Sequence, residues 1–220
     1  MTYFIGEEKE KFTPETLIGY GEEGKVFYKK DTNEAVKIFY RFNSLLSEMS
    51  LAEAIEMSQI KTSHILLPQR MVYDERDAFE GYTTPFIRQD ETIKEDELQY
   101  YPVEKLMKIF SALYQDIYAI SDKRLIINDI QDNEENHIFN GMFYLIDPGY
   151  YYFSNKSSED VLKDNIKRIN MFLCHYALGF SEKKLLTELK RRGLTYTLCD
   201  YLKDEAKPEE TFMSLVRKKL

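Results

Sequence analysis

Histidine, cysteine and uninterrupted apolar stretches are all scarce in this chain, and each shortage argues against a class of function. The three histidines (His64, His137, His175) and two cysteines (Cys174, Cys199) show no metal-ligand spacing and no C-x-x-C. That argues against a zinc module or a dithiol redox motif, and leaves buried thiols in a reducing compartment as the expectation. No apolar run is long enough to span a bilayer, and the first residues lack a charged start followed by an apolar core. A soluble cytoplasmic protein without a membrane partner is expected, with export by a route lacking a cleaved signal left open. Basic residues are also in deficit: 30 Lys and Arg against 38 Asp and Glu give a net charge of −8. No long basic stripe offsets this, so a nucleic-acid partner is not expected. The short clusters Lys190-Arg191-Arg192 and Arg217-Lys218-Lys219 fall late in helical segments, where cations suit the macrodipole. What remains is a chain of 220 residues, 43% hydrophobic, which suits one domain or two closely packed lobes.

The most informative stretch runs from Gly19 to Lys37. Gly19, Gly21, Gly24 and Val26 spell G-x-G-x-x-G-x-V. The alternating run from Lys25 to Lys30 reads as a strand, Asp31-Thr32-Asn33 as a turn, and Glu34 to Phe39 as a second strand carrying Lys37. A dinucleotide-binding loop leads into a helix, and this one leads into a strand. A P-loop needs a hydroxyl where Val26 stands. A glycine-rich hairpin followed by Ala35-Val36-Lys37 resembles the phosphate-covering loop and ATP-pairing lysine of the protein kinase superfamily. Glycines there let backbone N–H groups approach phosphate oxygens without side-chain interference.

Between Asn43 and Lys61 an amphipathic helix is expected, with Leu45, Met49 and Ala52 in one row. Glu56 continues that row by a turn, so the resemblance implies that Glu56 pairs with Lys37, with Glu53 as the other candidate. Leu67 to Tyr73 and Gly81 to Arg88 flank an acidic turn and read as a hairpin, with Pro85 demoting part of its strand to a sheet edge. Met1 to Thr16 read as a lead-in to the first strand. Phe86 to Gln89 would then be the connector through which the family binds adenine. The charged run from Gln89 to Glu97 marks the lobe boundary, giving an N-terminal nucleotide-binding lobe over 1–90 and a catalytic helical lobe over 91–220.

Val103, Leu106, Ile109, Phe110, Leu113, Ile117 and Ile120 form the apolar stripe of a long helix. An apolar strand then runs into the acidic loop Asn128 to Asn136, followed by a short strand, an Asn140-Gly141 turn and a strand ending in Asp147-Pro148-Gly149. This resembles the kinase catalytic loop followed by D-F-G, and Asn128-Asp129-Ile130-Gln131 is also similar to the N-D-x-Q of small-molecule kinases such as choline and aminoglycoside kinases. Helices are expected thereafter, over Val161 to Leu178, Ser181 to Arg192, Thr195 to Lys203 and Pro208 to Leu220.

The resemblance implies an α+β, two-lobed fold: an N-terminal antiparallel sheet plus one helix, and a mostly helical C-terminal lobe. It implies ATP and Mg²⁺ as cofactors. Gly19, Gly21, Gly24, Val26, Ala35, Lys37 and Glu56 would bind the nucleotide, Asn136 and Asp147 the metal, and Asp129 would act as base, with Asp132 the rival for that role. A Ser or Thr of a protein is the acceptor implied by the glycine loop and the A-V-K match. A small molecule is the acceptor implied by N-D-x-Q, and a non-catalytic scaffold is the remaining class. Four departures stand against the family pattern. Glu22 and Glu23 place negative charge at the loop tip. Ile127 and Asn128 replace the His and Arg of H-R-D. Asn136 lies seven residues after Asp129, where the family spacing is about five. Pro148 replaces the D-F-G phenylalanine, and only about ten residues follow Gly149 before the next helix, too few for a peptide platform.

Overall fold

The alternation of residues 24–39 produces a β-hairpin, in which β4 (Gly24–Lys29) pairs antiparallel with β5 (Glu34–Phe39), Val26 lying opposite Lys37. Its turn is closed by Asn33, which takes φ 54° and accepts from the Tyr28 hydroxyl at 3.1 Å through its side chain. Asparagine adopts this left-handed conformation at lower cost than most residues. The computed structural model describes residues 1–40, 49–89, 94–130, 136–177 and 182–219. These divide into two compact units: residues 1–61, 66–88 and 147–150, and residues 62–65, 89–146 and 151–220. The boundary expected between residues 90 and 91 lies outside the described residues.

The first unit is built on one antiparallel sheet. β1 (Tyr3–Ile5), β2 (Glu10–Phe12), β3 (Thr16–Tyr20), β4, β5, β6 (Met71–Tyr73) and β7 (Phe79–Pro85) form seven strands in the order β2-β1-β6-β7-β5-β4-β3. One expectation needs correction. Residues 1–16 are not a lead-in but supply β1 and β2, and β1 pairs with β6. β7 lies between β6 and β5, but its pairing with β6 ends at Tyr82, so Pro85 pairs with Glu34 alone and the end of the strand is an edge, as expected. The next amide, Phe86 N, bonds Asn33 O at 3.0 Å. Tyr3, Ile5, Phe12, Val36, Ile38 and Val72 form a buried cluster on the sheet. Gly81 leaves no room for a side chain, since a Cβ there would lie 1.9 Å from the Lys37 carbonyl oxygen.

α1 (Leu51–Ser58) is shorter than expected and differently phased. Ser50 caps it, with Glu53 completing a capping box, and Ala54 and Met57 are its buried residues. Residues 43–48 of the expected helix lie outside the described residues. Because the helix starts after Ser50, Met49 sets no helical row, and Ala52 and Glu56 are exposed.

In the second unit, α2 (Val103–Asp122) buries the whole expected stripe and packs against α3 (Ser158–Phe172), which buries Val161, Ile166, Ile169 and Phe172. β8 (Leu125–Ile126) pairs with β11 (Tyr152–Phe153), and β9 (His137–Phe139) with β10 (Phe143–Leu145). α4 (Glu182–Arg192), α5 (Leu198–Glu205) and α6 (Phe212–Lys219) follow, α5 opening at the Thr197 cap rather than at Thr195. The chain is therefore mixed α and β, with one seven-stranded antiparallel sheet and six α-helices among the described residues. Among the described residues no helix is long and apolar enough to cross a membrane.

Candidate functional site

Gly19, Val26, Lys37 and Tyr82 form one row across four adjacent strands, β3, β4, β5 and β7. Opposed residues in a sheet share a face, so strand register alone sets Lys37 beneath the glycine hairpin. Ala35 lies two residues back on β5 and shares that face. The hairpin tip is a tight turn, with Gly21 N bonding Gly24 O at 3.0 Å. A Cβ at Gly24 would lie 2.2 Å from the Ile38 carbonyl oxygen, whereas one at Gly21 would meet nothing within 4 Å. Gly24 is thus required by packing, and Gly21 borders open space.

Lys37 is buried at 7% exposure, and its ammonium is held between two carboxylates. Nζ donates to Glu23 Oε2 at 2.5 Å and to Asp147 Oδ1. Burial disfavours the ammonium, but Asp147 and then Glu23 outweigh it, and the Lys37 pKa stands above the ordinary lysine value. Asp147 takes φ 58°. Its Oδ1 also accepts from the Tyr82 hydroxyl at 3.5 Å and from Gly149 N at 3.4 Å. Left-handed backbone at a non-glycine residue is uncommon and recurs at functional sites. The Asp147-Pro148-Gly149 run turns here into a short 3₁₀ segment (Pro148–Tyr150).

The expected pairing of Lys37 with Glu56 is not formed. Glu56 is exposed, on the helix side away from Ala54 and Met57, and Glu53 is engaged at the helix start, its Oε2 accepting from Ser50 N at 2.9 Å. The partner is Glu23, a residue whose charge the sequence marks only as an obstacle to phosphate. Strand alternation says nothing about Glu23, because it sits in the turn one residue before β4.

The second unit carries the other expected residues. Asp129 takes φ 57°, and Asn136 Nδ2 donates to its carbonyl at 2.7 Å and its carboxylate at 3.0 Å. The seven-residue gap is thus bridged by a direct bond. Asp132 and Gln131 lie outside the described residues. Two α3 residues, neither of them expected from the sequence, bond the segment that leads to Asp129, one through its backbone and one through a side chain. Asn165, fully buried, accepts from Ile127 N at 3.1 Å and donates to Leu125 O at 2.9 Å. Arg168 Nη1 donates to Asn128 Oδ1 at 2.9 Å. Asp116 of α2 fixes a further segment of this unit, one Oδ2 accepting from Ser63, His64 and Ile65 N at 2.9, 2.5 and 2.9 Å.

Chemically, the first unit offers a cation fixed between two carboxylates, and the second a carboxylate fixed by an amide. Among the described residues, no three of His, Cys, Asp and Glu are grouped to hold a metal ion by themselves. Mg²⁺ does not need such a cage, since one or two carboxylates suffice when a substrate phosphate completes the shell. In comparisons with known proteins, no family model and no curated sequence matches this chain.

Proposed function

We propose that the chain is an ATP- and Mg²⁺-dependent phosphotransferase of the two-lobed, protein-kinase-like kind, which passes the γ-phosphoryl group to a hydroxyl, with a Ser or Thr of a protein as acceptor. The observation that carries this reading is the Lys37–Asp147 contact, made by residues 110 apart in sequence. One was singled out by a glycine hairpin and the other by a strand-end Asp-Pro-Gly, and phosphoryl transfer needs a phosphate clamp beside a metal ligand. In this reading, the amides of Gly19, Gly21 and Gly24 cover the phosphates, Val26 and Ala35 line the adenine, and Lys37 clamps. Asp147 would be the Mg²⁺ ligand that the first unit offers; on the second, Asn136 would offer its Oδ1, the amide nitrogen being a donor that serves Asp129. Bound MgATP would supply the phosphoryl group and neutralise developing charge. Asp129 takes the acceptor proton at its carboxylate, and Asn136, Asn165 and Arg168 keep it and its loop in place. Two cysteines without a C-x-x-C spacing fit a cytoplasmic site of action.

A small-molecule acceptor, of the choline or aminoglycoside kinase type, is favoured by one feature. β11 begins at Tyr152 and α3 is capped at Ser157, so the segment after Gly149 is short for one that seats a peptide. Incubating the protein with γ-labelled ATP, Mg²⁺ and cell extract tests the reading. Label in protein supports the first acceptor and label in a small molecule the second. ATP binding with no label transferred above a Lys37→Met control would leave a non-catalytic scaffold.

A further inference from the structure

We propose that Glu23, carried on the glycine hairpin, is the positioning residue for Lys37, holding its ammonium against Asp147 with one N–H directed to a nucleotide phosphate. The proposal rests on the phosphotransferase reading above.

Three observations lead to it. The helix carboxylates do not serve: Glu56 is exposed and Glu53 caps α1. Glu23 is buried at 7% exposure and sits 2.5 Å from Lys37 Nζ. Its own placement is fixed from both sides. Tyr40 N bonds its carbonyl at 2.9 Å, and its carboxylate lies against Gly149, where a Cβ would come within 2.3 Å of Oε2. The hairpin backbone is thus tied at Glu23, and its carboxylate reaches Lys37 from a site that only a glycine at 149 leaves open.

The donor arithmetic agrees. An ammonium has three N–H donors; Glu23 and Asp147 take two, and the third is the one a phosphate oxygen would accept. Placing the positioning carboxylate on the glycine hairpin joins two events that a helix glutamate keeps separate. The loop that covers the phosphates also orders the lysine that clamps them.

The rival is that Glu23 competes with phosphate for Lys37 and acts as a gate. The test uses the full chain with Glu23→Gln, Glu23→Asp, Lys37→Met and the Glu23→Gln/Lys37→Met pair. Without nucleotide, modification of Lys37 by an amine-reactive reagent is followed by mass spectrometry across alkaline pH. With one carboxylate removed, Lys37 is expected to react at lower pH in Glu23→Gln, and Glu23→Asp to return part of the way. In transfer assays, Glu23→Gln is expected to lower kcat on the order of tenfold to a hundredfold, the scale of losing orientation of a reacting group, with a smaller change in KM for ATP. Adding Glu23→Gln to Lys37→Met is expected to cost nothing further, as for residues acting through one contact. Unchanged Lys37 reactivity in Glu23→Gln overturns the proposal, as does tighter ATP binding with kcat undiminished. A shift in Lys37 reactivity in Glu23→Gln, together with a wild type that transfers no phosphate, keeps the hold of Glu23 on Lys37 and overturns the phosphotransferase reading alone.

Discussion

Asn136 Nδ2 bonds Asp129 twice, through the backbone carbonyl at 2.7 Å and the carboxylate at 3.0 Å. A base must be held within reach of the proton it takes, and this double contact fixes both the main chain and the side chain of Asp129. Asp129→Ala is expected to lower the transfer rate by roughly 10²–10⁴, the usual worth of a positioned acid–base group. Asp132→Ala is expected to stay within about tenfold of wild type on the same grounds. Single-turnover transfer with the two variants decides it, and reversed rates would hand the role to Asp132.

Lys37→Ala leaves the Glu23 and Asp147 carboxylates beside each other without their cation. Breaking a buried pair costs about 3–5 kcal/mol, and the partial exposure of the Asp147 side chain, 39%, puts the expected loss at the lower end. Urea unfolding measures this. Combining Glu23→Gln with Lys37→Ala is expected to recover part of the stability, because one of the stranded charges is gone. A single variant as stable as wild type would show that the carboxylates do not need the ammonium.

For Asp147, the expectation concerns metal dependence. Asp147→Asn keeps the shape and loses the charge that a hard cation requires. ATP is expected to raise the melting temperature of the wild type more with Mg²⁺ than with EDTA, and that difference is expected to vanish in Asp147→Asn. Transfer is expected to fall by at least about 10²-fold, as when a charge-stabilising group is removed. Equal stabilisation of the wild type with Mg²⁺ and with EDTA would oppose a metal role.

A fourth expectation follows from Arg70, whose Nε and Nη2 donate to the two oxygens of Glu34 at 3.0 and 2.5 Å. Burial acts to raise the Glu34 pKa, but bonds from Arg70, Thr32 and Thr83 outweigh it and hold the carboxyl below its ordinary value. A depressed folded-state value means that the contribution is complete above the ordinary value of 4.5 and is lost as pH falls through the folded one. Glu34→Gln is expected to lose roughly 1.5–3 kcal/mol at neutral pH, the scale of charged hydrogen bonds. Its deficit against wild type is expected to shrink as pH drops below 4.5. A deficit constant with pH would mean that packing, not charge, was lost.

The parts of the structure legible in the sequence are those written in local periodicity. The β4–β5 hairpin follows from alternation around Asn33, and α2 from its apolar stripe, which is buried throughout. Lys37 is found because strand, turn and strand fix its register opposite Val26. Glu56 is misplaced because the Ser50 cap resets the helix phase, and a cap three residues before Glu53 overrides a row counted from Leu45. Asp116 and Asn165 look like polar interruptions of apolar stripes. Their backbone partners lie 38 to 53 residues away, at separations that no local pattern records. β1 pairs with β6 across a still longer separation, Phe4 with Tyr73 and Ile5 with Val72.

Residues 147–150 cluster with the sheet-bearing unit, and residues 62–65 with the helical one, so the chain passes from one unit to the other five times. A gene fragment ending near residue 90 would encode all seven strands and still lack Asp147, leaving Lys37 with Glu23 alone. No single cut yields either unit whole. The two units must be inherited together, and a recombination point anywhere between Lys61 and Tyr151 separates residues that are needed in the same unit.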